Sequence, residues 1–193
     1  SELKQATRLF WVLEYAGFSD VKLLDGGLVA WEASGFPLRK GPSVYGPTDV
    51  DKLRMLHPEA GRMATRDDVM KARLNEKAII ADLRSKENFT GASKKDFVAR
   101  GGHVDGAMSQ PAGSFIDEAT STFKAPDVIR ALLDASKNAT NKSVLTYCNT
   151  GRDATIGYVA YRIAGFDQVA VYDGSMAEWG NQAECPMAEG AEE

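Results

Sequence analysis

The stretch VLTYCNTGRDATIGYVAYRIAG, residues Val144 to Gly165, decides how this chain is read. Val144 to Tyr147 is a short apolar run that reads as a strand. Ala154 to Ala164 carries Ile156, Val159, Ala160 and Ile163 at helical spacing, and Gly165 is a common left-handed helix terminator. Between them lies a small polar loop that opens on Cys148 and contains Gly151, whose missing Cβ permits a tight turn.

The same alternation continues on both sides. Val169 to Tyr172 is a second short strand. Upstream, Pro126 suits a first helical turn, and Val128, Ile129, Leu132 and Leu133 share one face. Ala78 to Leu83 (AIIADL) reads as a buried strand, and Thr65 to Asp68 forms a Thr-x-x-Asp start for a helix through about Arg73. Strand and helix in alternation predict an α/β domain with a mostly parallel central sheet flanked by helices. A ligand site belongs at strand carboxyl ends, where Cys148 stands.

Composition narrows the function. The chain has 193 residues and a net charge of −4, with no basic stripe to neutralise phosphates, so neither nucleic acid nor an anionic membrane is an expected partner. No apolar run approaches the ~20 residues of a bilayer span. Two cysteines, Cys148 and Cys185, cannot form a dense disulfide framework; a reducing compartment, the cytoplasm, is expected, with the periplasm open for a parent protein. His57 and His103 lie far apart, and CxxC, HExxH, GxGxxG and P-loop patterns are missing. Neither a metal nor an organic cofactor is expected.

An internal repeat organises the remainder. AGFSDVKLLDGGLVAW, Ala16 to Trp31, aligns without a gap on AGFDQVAVYDGSMAEW, Ala164 to Trp179, at an offset of 148 (164 − 16). The offset pairs Ala6-Thr7 with Ala154-Thr155, and Ser1 to Gln5 with Asn149 to Asp153. The expected organisation is therefore 1–38 as the end of a first copy, 39–62 as a linker rich in proline and glycine, and 63–193 as a full domain. The first copy would contribute a helix, a strand and a second helical turn, which cannot bury a core of their own. Trp31 and Trp179, at equivalent positions, are both expected to fill cores. A fragment, a missing front and a cut chain all account for the partial copy; the expectation carried forward is a second polypeptide that completes it and covers its apolar helix face.

Four stretches in order, ADLRSKENFTG (Ala81 to Gly91), GGHVDGAM (Gly101 to Met108), CNTGRDAT (Cys148 to Thr155) and VYDGSMAEW (Val171 to Trp179), resemble the successive signatures of rhodanese-like sulfurtransferases. The resemblance implies a rhodanese-like domain, preceded by a partial copy of itself, as in tandem-domain thiosulfate or 3-mercaptopyruvate sulfurtransferases. It implies Cys148 as the nucleophile, with Asn149, Thr150, Gly151, Arg152 and Asp153 as the anion-binding loop and Arg152 as its principal cation. Asp82 and Arg84 resemble a supporting polar pair. Its expected small-molecule partners are a sulfur donor and a cyanide or thiol acceptor. Two positions depart from the pattern: Asp153 stands where Thr or Arg is usual, and Asn88 where an arginine usually binds the donor.

The chemistry needs a thiolate, which loop amides, a helix N-terminus and a guanidinium would favour. Other readings stand beside these. Asp153 is expected as an N-cap for the helix at Ala154, His103 as a hydrogen-bonded turn histidine, and Cys185 as structural rather than as a resolving thiol. A protein-binding or sulfur-carrier module is the competing functional class.

Overall fold

The computed structural model describes residues 2–42, 46, 57–75, 77–133 and 142–190. In chain order its elements are α1 (Glu2–Tyr15), α2 (Gly27–Ala33), β1 (Met63–Ala64), α3 (Arg66–Ala72), β2 (Ala78–Asp82), α4 (Lys86–Thr90), β3 (His103–Val104), β4 (Met108–Ser109), β5 (Ile116–Asp117), β6 (Thr122–Phe123), α5 (Pro126–Leu132), β7 (Ser143–Tyr147), α6 (Ala154–Ile163), β8 (Val169–Tyr172), α7 (Ser175–Trp179) and β9 (Met187–Ala188). Most of the linker expected at 39–62 lies outside the described residues; its end forms a 3-10 turn at Ala60–Arg62.

Five strands make one sheet in the order β1-β8-β7-β2-β4, and every pairing in it is parallel. Side chains alternate across it. Ile79, Ala81, Val144, Val169 and Val171 join a core with α5 and α6, while Ile80, Tyr147, Ala170 and Tyr172 join a second core with Val69, Phe89, Met176 and Trp179. Both faces are covered, which explains why the strands read as continuous apolar runs. From β2 the chain moves outward to β4, and from β7 it moves the other way to β8, so the crevice at the carboxyl ends of β2 and β7 is a topological switch point.

Local signals act as expected in the second copy. Thr65 and Asp68 complete both bonds of a capping box at α3. Pro126 occupies the first turn of α5, and Gly165 takes a φ of 98° after α6. Helix α6 is buried from Ala154 through Tyr161, because α1 packs on the side that faces away from the sheet.

Helices α1 and α6 are the repeat equivalents, and they meet counterpart to counterpart. Thr7 Oγ1 lies 2.9 Å from Thr155 Oγ1, the Phe10 and Tyr158 rings are 6.5 Å apart, and Glu14 pairs with Arg162 at 3.6 Å. Each pair is 148 residues apart. Such self-pairing over two turns is the signature of two parallel helices around a local two-fold axis.

The first copy departs from expectation in two places. Residues 21–24, the equivalent of β8, form no strand; β8 is held by β1 and β7 on either side, and no neighbouring strand is offered to 21–24 among the described residues. Trp31 is not core: it is partly exposed, whereas Trp179 is fully buried. No helix among the described residues is long and apolar enough to cross a membrane.

Candidate active site

Cys148 follows the last residue of β7 and is 1% exposed. Its loop is tied down from the β8–α7 corner. Ser175 Oγ accepts from the amides of Cys148 (3.1 Å) and Gly151 (3.0 Å) and donates to the Tyr172 carbonyl (2.9 Å). The amides of Met176 and Ala177 donate in turn to the carbonyls of Cys148 and Asn149. Ser175 does this at a φ of 51°, a left-handed conformation that is costly for a residue with a Cβ. Gly151 has a φ of 75°, and a Cβ there would lie 2.2 Å from Asp173 Oδ1; glycine answers both demands.

The backbone amides of Thr150, Asp153 and Ala154 lie close enough to the Cys148 sulfur to favour its charged form. They form a nest at the start of α6, where the helix dipole also favours negative charge. Burial nevertheless raises the thiol pKa, the Asp153 carboxylate adds to the rise, and the amides only partly offset it. The sequence reading looked for surroundings that favour the thiolate; the amides do so, and the nearly complete exclusion of water opposes them.

The supporting residues sit close by. Asp82, at the end of β2, is fully buried; it accepts from the Arg84 amide and guanidinium and, at 2.6 Å, from the Tyr147 hydroxyl. Burial works against the Arg84 charge, but Asp82 outweighs it and holds that pKa above its ordinary value. Arg84 also donates to the Gly102 carbonyl, so the pair knits strand ends together beneath the site. Asn88 donates to Ser93 Oγ at 2.8 Å and lies 3.5 Å from the Asn149 amide nitrogen.

Arg152 is exposed and is absent from the wall of the site's cavity. Among the described residues, the cations on that wall are Lys4, Arg84 and Lys95. Asp153 does not cap α6 with its side chain; its Oδ1 lies 2.6 Å from Lys4 Nζ. That contact is a charge pair rather than an aligned hydrogen bond, since the oxygen has no hydrogen-bond partner among the described residues. His103 is held by the Phe89 carbonyl at 2.8 Å and stacks on the Phe89 ring. Cys185 belongs to the second core, on the sheet face opposite Cys148, and both thiols are free. Sequence reasoning missed Ser175 and Lys4. The repeat held a signal for the first, since Gly27 stands at its position in the other copy and also has positive φ.

Beside the loop opens a cavity of about 800 Å³. Asn149 and Asp153 border it from the Cys148 loop, Arg84 and Asn88 from the end of β2 and α4, and Leu3 and Lys4 from α1. Its walls are mainly apolar with a few charged groups, an arrangement suited to a small anion-bearing ligand.

Comparison with known proteins agrees with this geometry. The profile of the rhodanese-like domain matches residues 66–182. The sulfur carrier protein TtuD of Thermus thermophilus is 29% identical, over 97% of this chain and 68% of its own length. The thiosulfate sulfurtransferase of Azotobacter vinelandii is 29% identical, over 94% of this chain and 65% of its own. The thiosulfate sulfurtransferase YnjE of Escherichia coli is 29% identical in sequence. The solved structure of YnjE superposes with a TM-score of 0.86, covering 98% of this chain and 47% of that one. The chain thus spans about two thirds of the first two relatives and under half of YnjE. With a parallel α/β sheet, a cysteine loop at its switch point and a profile match over most of the second copy, the chain belongs to the rhodanese-like family.

Proposed function

We propose that this protein transfers sulfane sulfur from a donor such as thiosulfate or 3-mercaptopyruvate to a thiophilic acceptor, cyanide or a thiol, through a persulfide on Cys148. The observation that carries the reading is the buried Cys148 at the carboxyl end of β7, in a loop whose amides at Cys148 and Gly151 are held by Ser175 and whose amides at Thr150, Asp153 and Ala154 favour charge on the sulfur. A nest of N–H groups stabilises sulfur that bears negative charge, whether as the attacking thiolate or as the terminal sulfur of a persulfide.

The steps balance without a cofactor. Cys148 loses its proton to solvent and attacks the outer sulfur of thiosulfate; the S–S bond of the donor breaks and sulfite leaves with the electron pair. The acceptor then attacks the terminal sulfur of the persulfide, whose S–S bond breaks to regenerate the thiolate. Ping-pong kinetics follow. Asn149, Thr150, Gly151, Arg152 and Asp153 shape the loop around that sulfur, and Asp82, Arg84 and Asn88 support it from β2 and α4.

Intact-mass spectrometry tests the reading. Incubation with either donor should add about one sulfur (~32 Da) that cyanide removes, and Cys148→Ser should add none. A second reading, the sulfur carrier, is favoured by the name of TtuD and by the replacement of a donor-binding cation with Asn88. It expects no gain from small donors and a gain from a protein persulfide.

Two expectations about context belong to the same proposal. A cytoplasmic location suits an unpaired nucleophilic thiol. A second polypeptide covering the first copy is supported by Leu9, Leu24, Leu28, Val29, Phe36 and Leu38, each at least half exposed. Mass analysis of the purified native sample that finds this polypeptide alone would sink that part.

A further inference from the structure

The Lys4–Asp153 pair joins the two copies of the repeat at the nucleophile. Lys4 is the repeat counterpart of Arg152 (4 + 148 = 152). Arg152 points to solvent, whereas Lys4 stands on the cavity wall 2.6 Å from the Asp153 carboxylate. We infer that Lys4 is a positioning residue for Cys148, acting from outside the catalytic copy by neutralising Asp153 and holding it beside the loop. The inference rests on the reading of Cys148 as the nucleophile.

Helix α1 is fixed well enough for this role. The Thr7–Thr155 hydrogen bond is fully buried between α1 and α6. One helical turn beyond Lys4, Arg8 grips Asp173 through both carboxylate oxygens, at 2.5 and 3.0 Å. Asp173 lies against Gly151 and precedes Ser175 by two residues, the side chain that holds the amides of Cys148 and Gly151. Lys4 and Arg8 therefore brace the loop at two points.

Among the described residues, two other charge pairs near the thiol are matched, and Arg152 of the same loop faces solvent. Asp82 and Arg84 neutralise each other at the end of β2, Arg8 and Asp173 do so between α1 and the β8–α7 corner, and Tyr147 is held neutral by burial. Lys95 and Glu118 also line the cavity. Asp153 is the carboxylate whose charge opposes the thiolate, and its partner comes from α1.

The test is a double-mutant cycle read by the pH dependence of Cys148 alkylation with iodoacetamide, carried out in a Cys185→Ser background. Lys4→Met should move the alkylation midpoint upward and cut the rate at neutral pH roughly two- to fivefold. Asp153→Asn should move it downward, and Lys4→Met added to Asp153→Asn should have no further effect. Lys4→Arg should restore the original profile. An unchanged profile in Lys4→Met, or an equal shift with and without Asp153, overturns the inference. Alkylation needs no sulfur donor, so a protein that forms no persulfide but shows this coupling would remove the proposed function and leave the inference standing.

Discussion

Trp31 and Trp179 hold the same position in two copies of one sequence unit, yet only Trp179 is fully buried. Its indole donates to the Pro186 carbonyl at 2.9 Å and meets Tyr172 edge-on. Trp31 makes a matching bond, to the Pro37 carbonyl at 3.2 Å, but sits partly exposed against Phe36. Gly27 and Ser175 are equivalent as well, and both take left-handed φ, 59° and 51°. The local turn therefore persists in both copies, while the core exists only where neighbouring strands supply it. Conformation set by a few consecutive residues needs no partner; burial does.

The most severe test of this contrast is alanine at each tryptophan. Trp179→Ala should destabilise the protein by about 3–5 kcal/mol in urea unfolding, and Trp31→Ala by less than about 1 kcal/mol. Equal losses would mean that the first copy contributes a core after all.

Next in size is the loop itself, where the copies differ outright: Leu3, in α1, is the counterpart of Gly151. Gly151→Ala should lower stability by roughly 2 kcal/mol through its positive φ, and it should also abolish persulfide formation as the Cβ displaces Asp173. Retention of full sulfur loading on this variant would show that the loop tolerates another shape.

Ser175 sharpens the comparison further. Ser175→Ala keeps the Cβ and loses the acceptor for two amides, at about 1–2 kcal/mol and with slower sulfur loading. Ser175→Gly matches Gly27 and should recover about 1 kcal/mol of that loss by relieving the positive φ, without recovering the loading rate. If both variants are equally unstable, the φ of 51° carries no strain.

The smallest effect is on pH dependence. Burial holds the Cys148 thiol pKa above its unfolded value, so the folded state retains the proton that the unfolded chain gives up. This stabilisation is complete below the unfolded thiol pKa and is lost as pH rises through it toward the folded one. Relative to Cys148→Ser, the native protein should lose stability as pH rises through the alkaline range, while the difference between the two stays constant around neutral pH. Its alkylation and loading rates should climb with pH over the same alkaline range.

Much of this site was legible from short stretches. The capping box at Thr65, Pro126 in a first turn, the apolar run ending at Tyr147 and the helical spacing after Ala154 are patterns that consecutive residues create by themselves. They place Cys148 at a strand end, and a parallel α/β sheet makes that end a binding crevice. Arg152 is different. A basic residue in an anion loop looks like its cation, but side-chain direction depends on packing, and here Arg152 is exposed while Lys4 of α1 borders the cavity.

What the sequence alone determined is the order of strands and helices, the repeat, and the cysteine loop, because each depends on neighbours within a turn or two of chain. Three-dimensional packing settled which copy acquires a core, which cation meets Asp153, and the strained Ser175 that holds the loop. Those outcomes rest on groups some 150 residues apart meeting across a helix pair and a sheet, and Coulomb and packing energies depend on distance in space, not on distance along the chain.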